Sequence, residues 1–301
     1  MSGGSTRVIL TALAANVGIA VAKFIAAGIT GSSAMLTEGI HSLVDSTNHV
    51  LLLYGSKRAA RPADAQHPLG YGRELYFWSF VVAILVFALG AGVAIYEGIH
   101  HILNPEPAGN PLVAYIVLAI SFALEGWSTW EALKSFNLSR GKRNLLQAIQ
   151  DSKDAPTIIV LLENGGALAG ILIAALGIWI SHSTGDPRWD GAASVLIGLI
   201  LGALALLLAV EAKGLLIGES ADPSLVDGLR SIASGIPGVA GVGEVVTVHH
   251  SPDRIVAGID VDFVDTISGG DVEAIVRRIE AAVARDWPAV FRVFVRPVSG
   301  T

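Results

Sequence analysis

Apolar residues dominate the first two thirds of the chain in six long stretches, near 7–29, 33–56, 75–103, 111–136, 156–182 and 190–215. Each reaches the about 20 residues that a helix needs to cross a bilayer's hydrocarbon core. The first starts a few residues after Met1 and lacks a small-residue cleavage site followed by a polar stretch, so it is read as a true span and not as a removed signal. Lys and Arg crowd into alternate connections. Lys57, Arg58, Arg61 and Arg73 follow the second stretch, and Arg140, Lys142, Arg143 and Lys153 follow the fourth. The connections after the first and third carry none, and the one after the fifth carries only Arg188. Positive residues stay on the cytoplasmic side, so both termini are expected there.

The pattern changes near Gly218. From 219 onward, 223–233 has a helical period, and 244–249 and 255–264 alternate apolar with polar positions as half-buried strands do. Ser251-Pro252-Asp253 between them is a turn signal. A second helical stretch, 270–285, has Asp271 and Glu273 in its first turn, and 290–295 reads as a last strand. The expected architecture is a six-helix membrane domain (1–218) followed by a small cytoplasmic α+β domain of order αββαβ (219–301).

Composition narrows the function. Of 301 residues, 52% are hydrophobic and 15% charged, against about 25% charged in ordinary soluble domains. The net charge is −6, with −1 in residues 1–217 and −5 in 218–301, so no basic field exists to hold a nucleic acid. Cysteine is absent, which removes disulfides, thiolate metal sites and cysteine nucleophiles together. The tail has no Gly-rich phosphate loop and no nucleophile elbow.

Ionisable groups inside a span are costly and are functional candidates by default. The second span holds Glu38, His41, Asp45, Asn48 and His49; the third Glu97, His100 and His101; the fourth Glu125 and Glu131; the fifth Glu163 and Asn164; the sixth Glu211. His41 and Asp45 stand four apart, one above the other on a helix face. An imidazole and a carboxylate so placed can share a divalent cation with donors from a facing helix, or can form a structural hydrogen bond. Glu163 and Asn164 precede Gly165-Gly166, which permit close helix approach. Adjacent residues diverge by about 100°, so one of the two is expected to face the ligand; interhelical hydrogen bonding is the plainer role. Glu125, Glu38 and Asn48 are candidates for lining the cavity or coupling protons. In the loop, Asp64 and His67 either bind a cation at the cytoplasmic mouth or belong to a fixed turn. Asp151 and Asp154 either attract cations there or cap the fifth helix, the better reading for Asp154 because Ala155-Pro156 follows it.

These residues carry a resemblance. The run 31–45, GSSAMLTEGIHSLVD, resembles the second-helix signature of the cation diffusion facilitator family, and 67–73, HPLGYGR, resembles its loop motif. Asp151-Ser152-Lys153-Asp154 with the later Leu161-Leu162-Glu163-Asn164 resembles the branch that includes the mitochondrial zinc exporter. The resemblance covers nearly the whole chain. It implies a homodimer, joined through the C-terminal domain and the membrane helices, that exports a divalent metal against protons, and it implies no enzyme. His41 and Asp45 fit the family's first ligand pair. The second pair departs: Val160 and Asn164 stand at its positions, and the branch's Glu-Asp is Glu163-Asn164 here. Tyr71 stands where the loop site has a histidine, and the tail offers only His249 and His250 of the family's regulatory ligands.

The expected cargo is Zn2+, with Fe2+ next and Co2+, Ni2+ or Mn2+ also compatible with nitrogen and oxygen donors; no prosthetic group is expected. Metal needs neutral imidazole, so protons from outside would compete for the ligands and drive exchange. The competing reading is a non-transporting relative with a structural or partner-binding role. An intramembrane metalloprotease is disfavoured, because His41 has Asp45 and not a second histidine four residues on. The expected location is a bacterial inner membrane.

Overall fold

The computed structural model describes residues 3–30, 33–105, 111–140, 144 and 152–300. Residue 151 lies outside them, as do the side chains of Glu38, His41 and Asp45. The chain divides into two compact units, Met1–Lys213 and Gly214–Thr301.

Among the described residues the first unit has six long helices: α1 Gly3–Thr30, α2 Ser33–Ala59, α3 Glu74–Leu103, α4 Pro111–Arg140, α5 Ala155–Thr184 and α6 Arg188–Ile217. Five of them, α1 and α3 to α6, are long and apolar enough to cross a membrane. The remaining one, α2, is a 27-residue helix that carries the polar run singled out above. The outward faces are apolar: Leu10, Ile25, Leu112, Trp130, Leu172 and Val210 are each at least half exposed. A water-soluble bundle would not leave so many large side chains outside, whereas lipid accepts them. Inside, Val8, Ile9, Leu52, Val82, Phe136, Ile158, Ile159 and Leu208 form one core from all six helices.

Local chemistry sets the helix ends. Lys57 and Arg58 occupy the last turn of α2, where the helix dipole favours cations. Gly185 ends α5 in the left-handed conformation with φ +73°, and its N–H bonds Ser181 O. The sequence reading treats α3 as uniform, but one π-helical turn interrupts it at Val86–Ala91, where the Gly92 N–H reaches back to Phe87 O. A wider turn of this kind rotates everything after it relative to everything before. The second half of α3 packs closely on α6. A Cβ on Gly98 would lie 2.7 Å from Gly191 O and from Val195 N. Only missing side chains let two backbones meet this closely.

In the second unit, α7 Pro223–Ser234 is followed by β1 Val239–Ser251, β2 Arg254–Phe263, α8 Gly269–Asp286 and β3 Val290–Val298. The sheet order is β1-β2-β3, with β1 and β2 antiparallel and β2 and β3 parallel through the α8 crossover. The first strand begins five residues before the alternation at 244–249, because Gly241 and Gly243 interrupt the pattern and the register shifts there. Ser268 and Asp271 form a reciprocal capping box at the start of α8. Leu225, Leu229, Ile259, Ile279 and Val283 fill the core between helices and sheet.

The α3–α6 contact predicts that Gly98→Leu, which forces side-chain atoms into the Gly191 and Val195 backbone, destabilises the membrane unit by about 1–3 kcal/mol. Thermal unfolding in detergent reads this out, and an unchanged midpoint would contradict the close approach.

Candidate functional site: a polar seam between α2 and α5

Positions 41, 45 and 48 follow one face of α2 at spacings of four and three. On that face the structure describes Asn48, which is buried, and its Nδ2 donates to Glu163 Oε1 of α5 at 3.1 Å. The other oxygen, Glu163 Oε2, is buried and has no hydrogen-bond partner among the described residues. Asn164 turns elsewhere, and its buried Nδ2 donates to Ser128 Oγ of α4 at 2.6 Å. Of the Glu163-Asn164 pair, Glu163 is therefore the one that meets α2. The amide at the family's usual aspartate position serves an α4–α5 contact.

Glu125 is buried on α4, and its backbone oxygen accepts from Thr129 Oγ1 at 2.7 Å. Glu131 pairs with Arg7 of α1 at 3.0 Å, which gives it a structural role. Glu97 is exposed. Among the described residues no three His, Asp or Glu side chains converge, and the side chains of His41, Asp45 and Glu38 lie outside that description.

Three polar partners were not singled out from the sequence. Ser128 holds Asn164. Asn16 of α1 lies 3.0 Å from His49 Nε2. Lys23 of α1 donates to Ser42 Oγ at 2.7 Å. A lysine inside an apolar stretch is a signal that the sequence offered. Ser128 and Asn16 gave none, because a lone hydroxyl or amide in a span is ordinary.

At the α2–α3 connection the loop side chains form a hydrogen-bonded turn. Asp64 Oδ1 accepts the backbone N–H of His67 at 2.8 Å and of Gln66 at 3.0 Å, and Oδ2 accepts the Tyr71 hydroxyl at 2.6 Å. His67 Nδ1 is 3.6 Å from Asp64 Oδ1, and its ring lies 4.2 Å from the Tyr71 ring. Both carboxylate oxygens are thus engaged inside the loop. Tyr71, standing where the family has a histidine, completes a hydrogen-bonded turn. Gly70, with φ +92°, supplies the left-handed residue that turn needs. Arg58 closes the loop with two hydrogen bonds to Glu74 Oε1, and Arg58 and Arg61 lie over the Tyr71 ring.

Asp154 occupies the N-cap position of α5, but its carboxylate bonds no backbone N–H of that helix. The capping expectation is corrected in this respect. Its Oδ2 accepts the hydroxyls of Ser5 at 2.6 Å and Thr157 at 2.7 Å, so it clasps the start of α1 to the start of α5. Asp151 lies outside the described residues.

The Tyr71 hydroxyl, then the His67 and Gln66 N–H groups, hold the Asp64 carboxyl below its ordinary range, and Asp64 in turn raises Tyr71. A lowered carboxyl favours the folded loop above the ordinary aspartate value and loses that support as pH falls through the lowered one. Tyr71→Phe is expected to move the Asp64 titration up toward the ordinary range. Carbon-detected NMR of the carboxyl checks this, and an unmoved titration would refute the contact.

The cation efflux transmembrane domain profile matches residues 9–217. The mitochondrial proton-coupled zinc antiporter SLC30A9 of Xenopus laevis is 31% identical over 262 residues, covering 86% of this chain and 47% of its own length. Metal tolerance protein C4 of Arabidopsis thaliana is 33% identical over 222 residues, covering 72% of this chain and 48% of its own. Magnetosome protein MamM of Magnetospirillum gryphiswaldense is 27% identical over 232 residues, covering 76% of this chain and 68% of its own. The chain spans about half the length of the first two. The match over most of the membrane unit, joined to a multi-pass apolar bundle with an α2–α5 polar seam, places the chain in the cation diffusion facilitator family, whose members carry metal cations across membranes and are not enzymes.

Proposed function

We propose that this protein exports a divalent cation, Zn2+ first and Fe2+ next, in exchange for protons, through a site formed by His41 and Asp45 of α2 and Glu163 of α5. The observation that carries this reading is the Asn48–Glu163 hydrogen bond, which draws the α2 face bearing positions 41 and 45 against a buried carboxylate of α5. One imidazole nitrogen and two carboxylates suit a small divalent cation that has shed its water. Asn164 is the weaker candidate, since its amide serves Ser128. Glu125, buried on α4, and Glu38 remain candidates for the proton path.

The coupling follows from shared ligands. A metal ion must displace the imidazole proton, and protons returning from outside reclaim the same groups and expel the ion. The helices then alternate access around a site between membrane faces. Two chains pair through the C-terminal domain and the membrane helices in this reading, and the uncovered apolar residues Val246 and Phe294 on the tail's sheet support it. Both termini lie on the cytoplasmic side in this reading, because the Lys- and Arg-rich connections face it. Asp154 and the 60–73 loop then belong to the cytoplasmic mouth, the former as a helix clasp and the latter as a rigid turn. The names of two relatives, a proton-coupled zinc antiporter and a metal tolerance protein, agree with this cargo class.

Reconstituted vesicles with an internal zinc-sensitive dye and an imposed pH gradient test the reading. His41→Ala, Asp45→Ala and Glu163→Gln are each expected to lower uptake at least about tenfold, by analogy with loss of a metal ligand or its support, and collapsing the proton gradient is expected to stop wild-type uptake. Wild-type rates in all three variants would assign the site elsewhere. A wild-type protein that neither binds nor moves metal would favour the non-transporting alternative.

A further inference from the structure

We propose that Asn48 is a positioning residue that biases Glu163 toward one-oxygen coordination through Oε2 and thereby makes the site favour small, four-coordinate cations over larger ones. The proposal deepens the transport reading above and rests on Glu163 being a ligand.

Three features lead to it. Asn48 sits on the α2 face that carries positions 41 and 45, one turn beyond Asp45. It is 6% exposed, and its amide donates to one carboxylate oxygen only, Oε1, at 3.1 Å. The second oxygen, Oε2, is equally shut off from solvent and has no hydrogen-bond partner among the described residues. A bond that served only to join helices would be better completed at both oxygens, since an unbonded buried acceptor is unfavourable. Here one oxygen is held and the other is left open.

The chemistry of the donor adds to the geometry. An ionised carboxylate only accepts hydrogen bonds, so the Asn48 amide must present its N–H groups and not its oxygen. An amide is neutral. It orients Glu163 without cancelling the negative charge that the cargo needs, as a lysine or arginine in its place would. With one Oε1 lone pair engaged, a cation approaching the carboxylate meets Oε2 first. Chelation by both oxygens would make the cation share Oε1 with the Asn48 amide, at some cost to both contacts. Zinc in a tetrahedral site is satisfied by one carboxylate oxygen. Larger cations that take six or more oxygens draw on two-oxygen carboxylates, so they lose more from this restraint.

The test uses the full-length protein in detergent, with Zn2+ alone and Mn2+ alone as probes, in titration calorimetry. Asn48→Ala and the nearly isosteric Asn48→Leu both remove the donor. Each is expected to weaken zinc binding about 10–100-fold, the usual effect of losing a group that orients a ligand, with manganese changing several-fold less, so that the zinc-to-manganese ratio falls. Infrared difference spectra with and without zinc supply a readout independent of transport. The separation between the asymmetric and symmetric carboxylate stretches is expected to narrow in Asn48→Leu, as chelation replaces one-oxygen binding, and Glu163→Gln is expected to remove that band. An unchanged zinc-to-manganese ratio with unchanged carboxylate bands would overturn the role of Asn48 and leave Glu163 as a ligand. Wild-type zinc binding in Glu163→Gln would instead overturn the transport-site reading beneath it. Equal weakening of both metals with an unmoved stretch separation would reduce Asn48 to a packing residue and also refute the proposal.

Discussion

A carboxylate enclosed among apolar helices must find donors from neighbouring helices, because neither lipid nor core supplies any. The Asn48–Glu163 bond is the instance on which the α2–α5 seam turns. The same demand recurs through the membrane unit. Asn164 reaches Ser128 between α5 and α4, Asn16 meets His49 and Lys23 meets Ser42 between α1 and α2, and Arg7 pairs with Glu131 between α1 and α4. Asp154 gathers Ser5 and Thr157 where α1 and α5 begin. These bonds select one rotation for α1, α2, α4 and α5, which packing of smooth apolar surfaces would leave loosely chosen. Polar residues in this bundle thus define its geometry before they perform any chemistry.

Rigidity and freedom are distributed unevenly around the seam. The 60–73 connection is closed by the Arg58–Glu74 hydrogen bonds, by Asp64 bonded to its own turn and by two guanidinium groups over Tyr71. It holds the ends of α2 and α3 in register. The π-helical turn of α3 at Val86–Ala91 is the opposite case, a place where regular helical bonding is interrupted inside the membrane unit.

The departures from the family's usual ligands become intelligible in these terms. An aspartate at 164 would present a charge to the face that here meets Ser128; an asparagine supplies a donor to that hydroxyl without a charge to compensate. The acid is one residue earlier, on the face that meets α2. Tyr71 likewise replaces a metal donor with a hydroxyl that completes the Asp64 turn. In both places a group suited to metal gives way to one suited to hydrogen bonding.

Much of this was legible in the residues alone. Helix positions, the separate C-terminal unit, the alternation of basic connections and the His41–Asp45 spacing follow from hydropathy and helical period, which are local properties. The α+β tail was legible for the same reason, because strand alternation and the Ser251-Pro252-Asp253 turn are written within a few residues. What the sequence could not decide was rotation about each helix axis. A helix apolar on every side has almost no preferred face, so nothing in Leu161-Leu162-Glu163-Asn164 says which polar group meets α2. That choice, together with the roles of Ser128, Asn16 and Asp154 as partners, comes from neighbours more than thirty residues away in sequence, and exists only once the helices are packed.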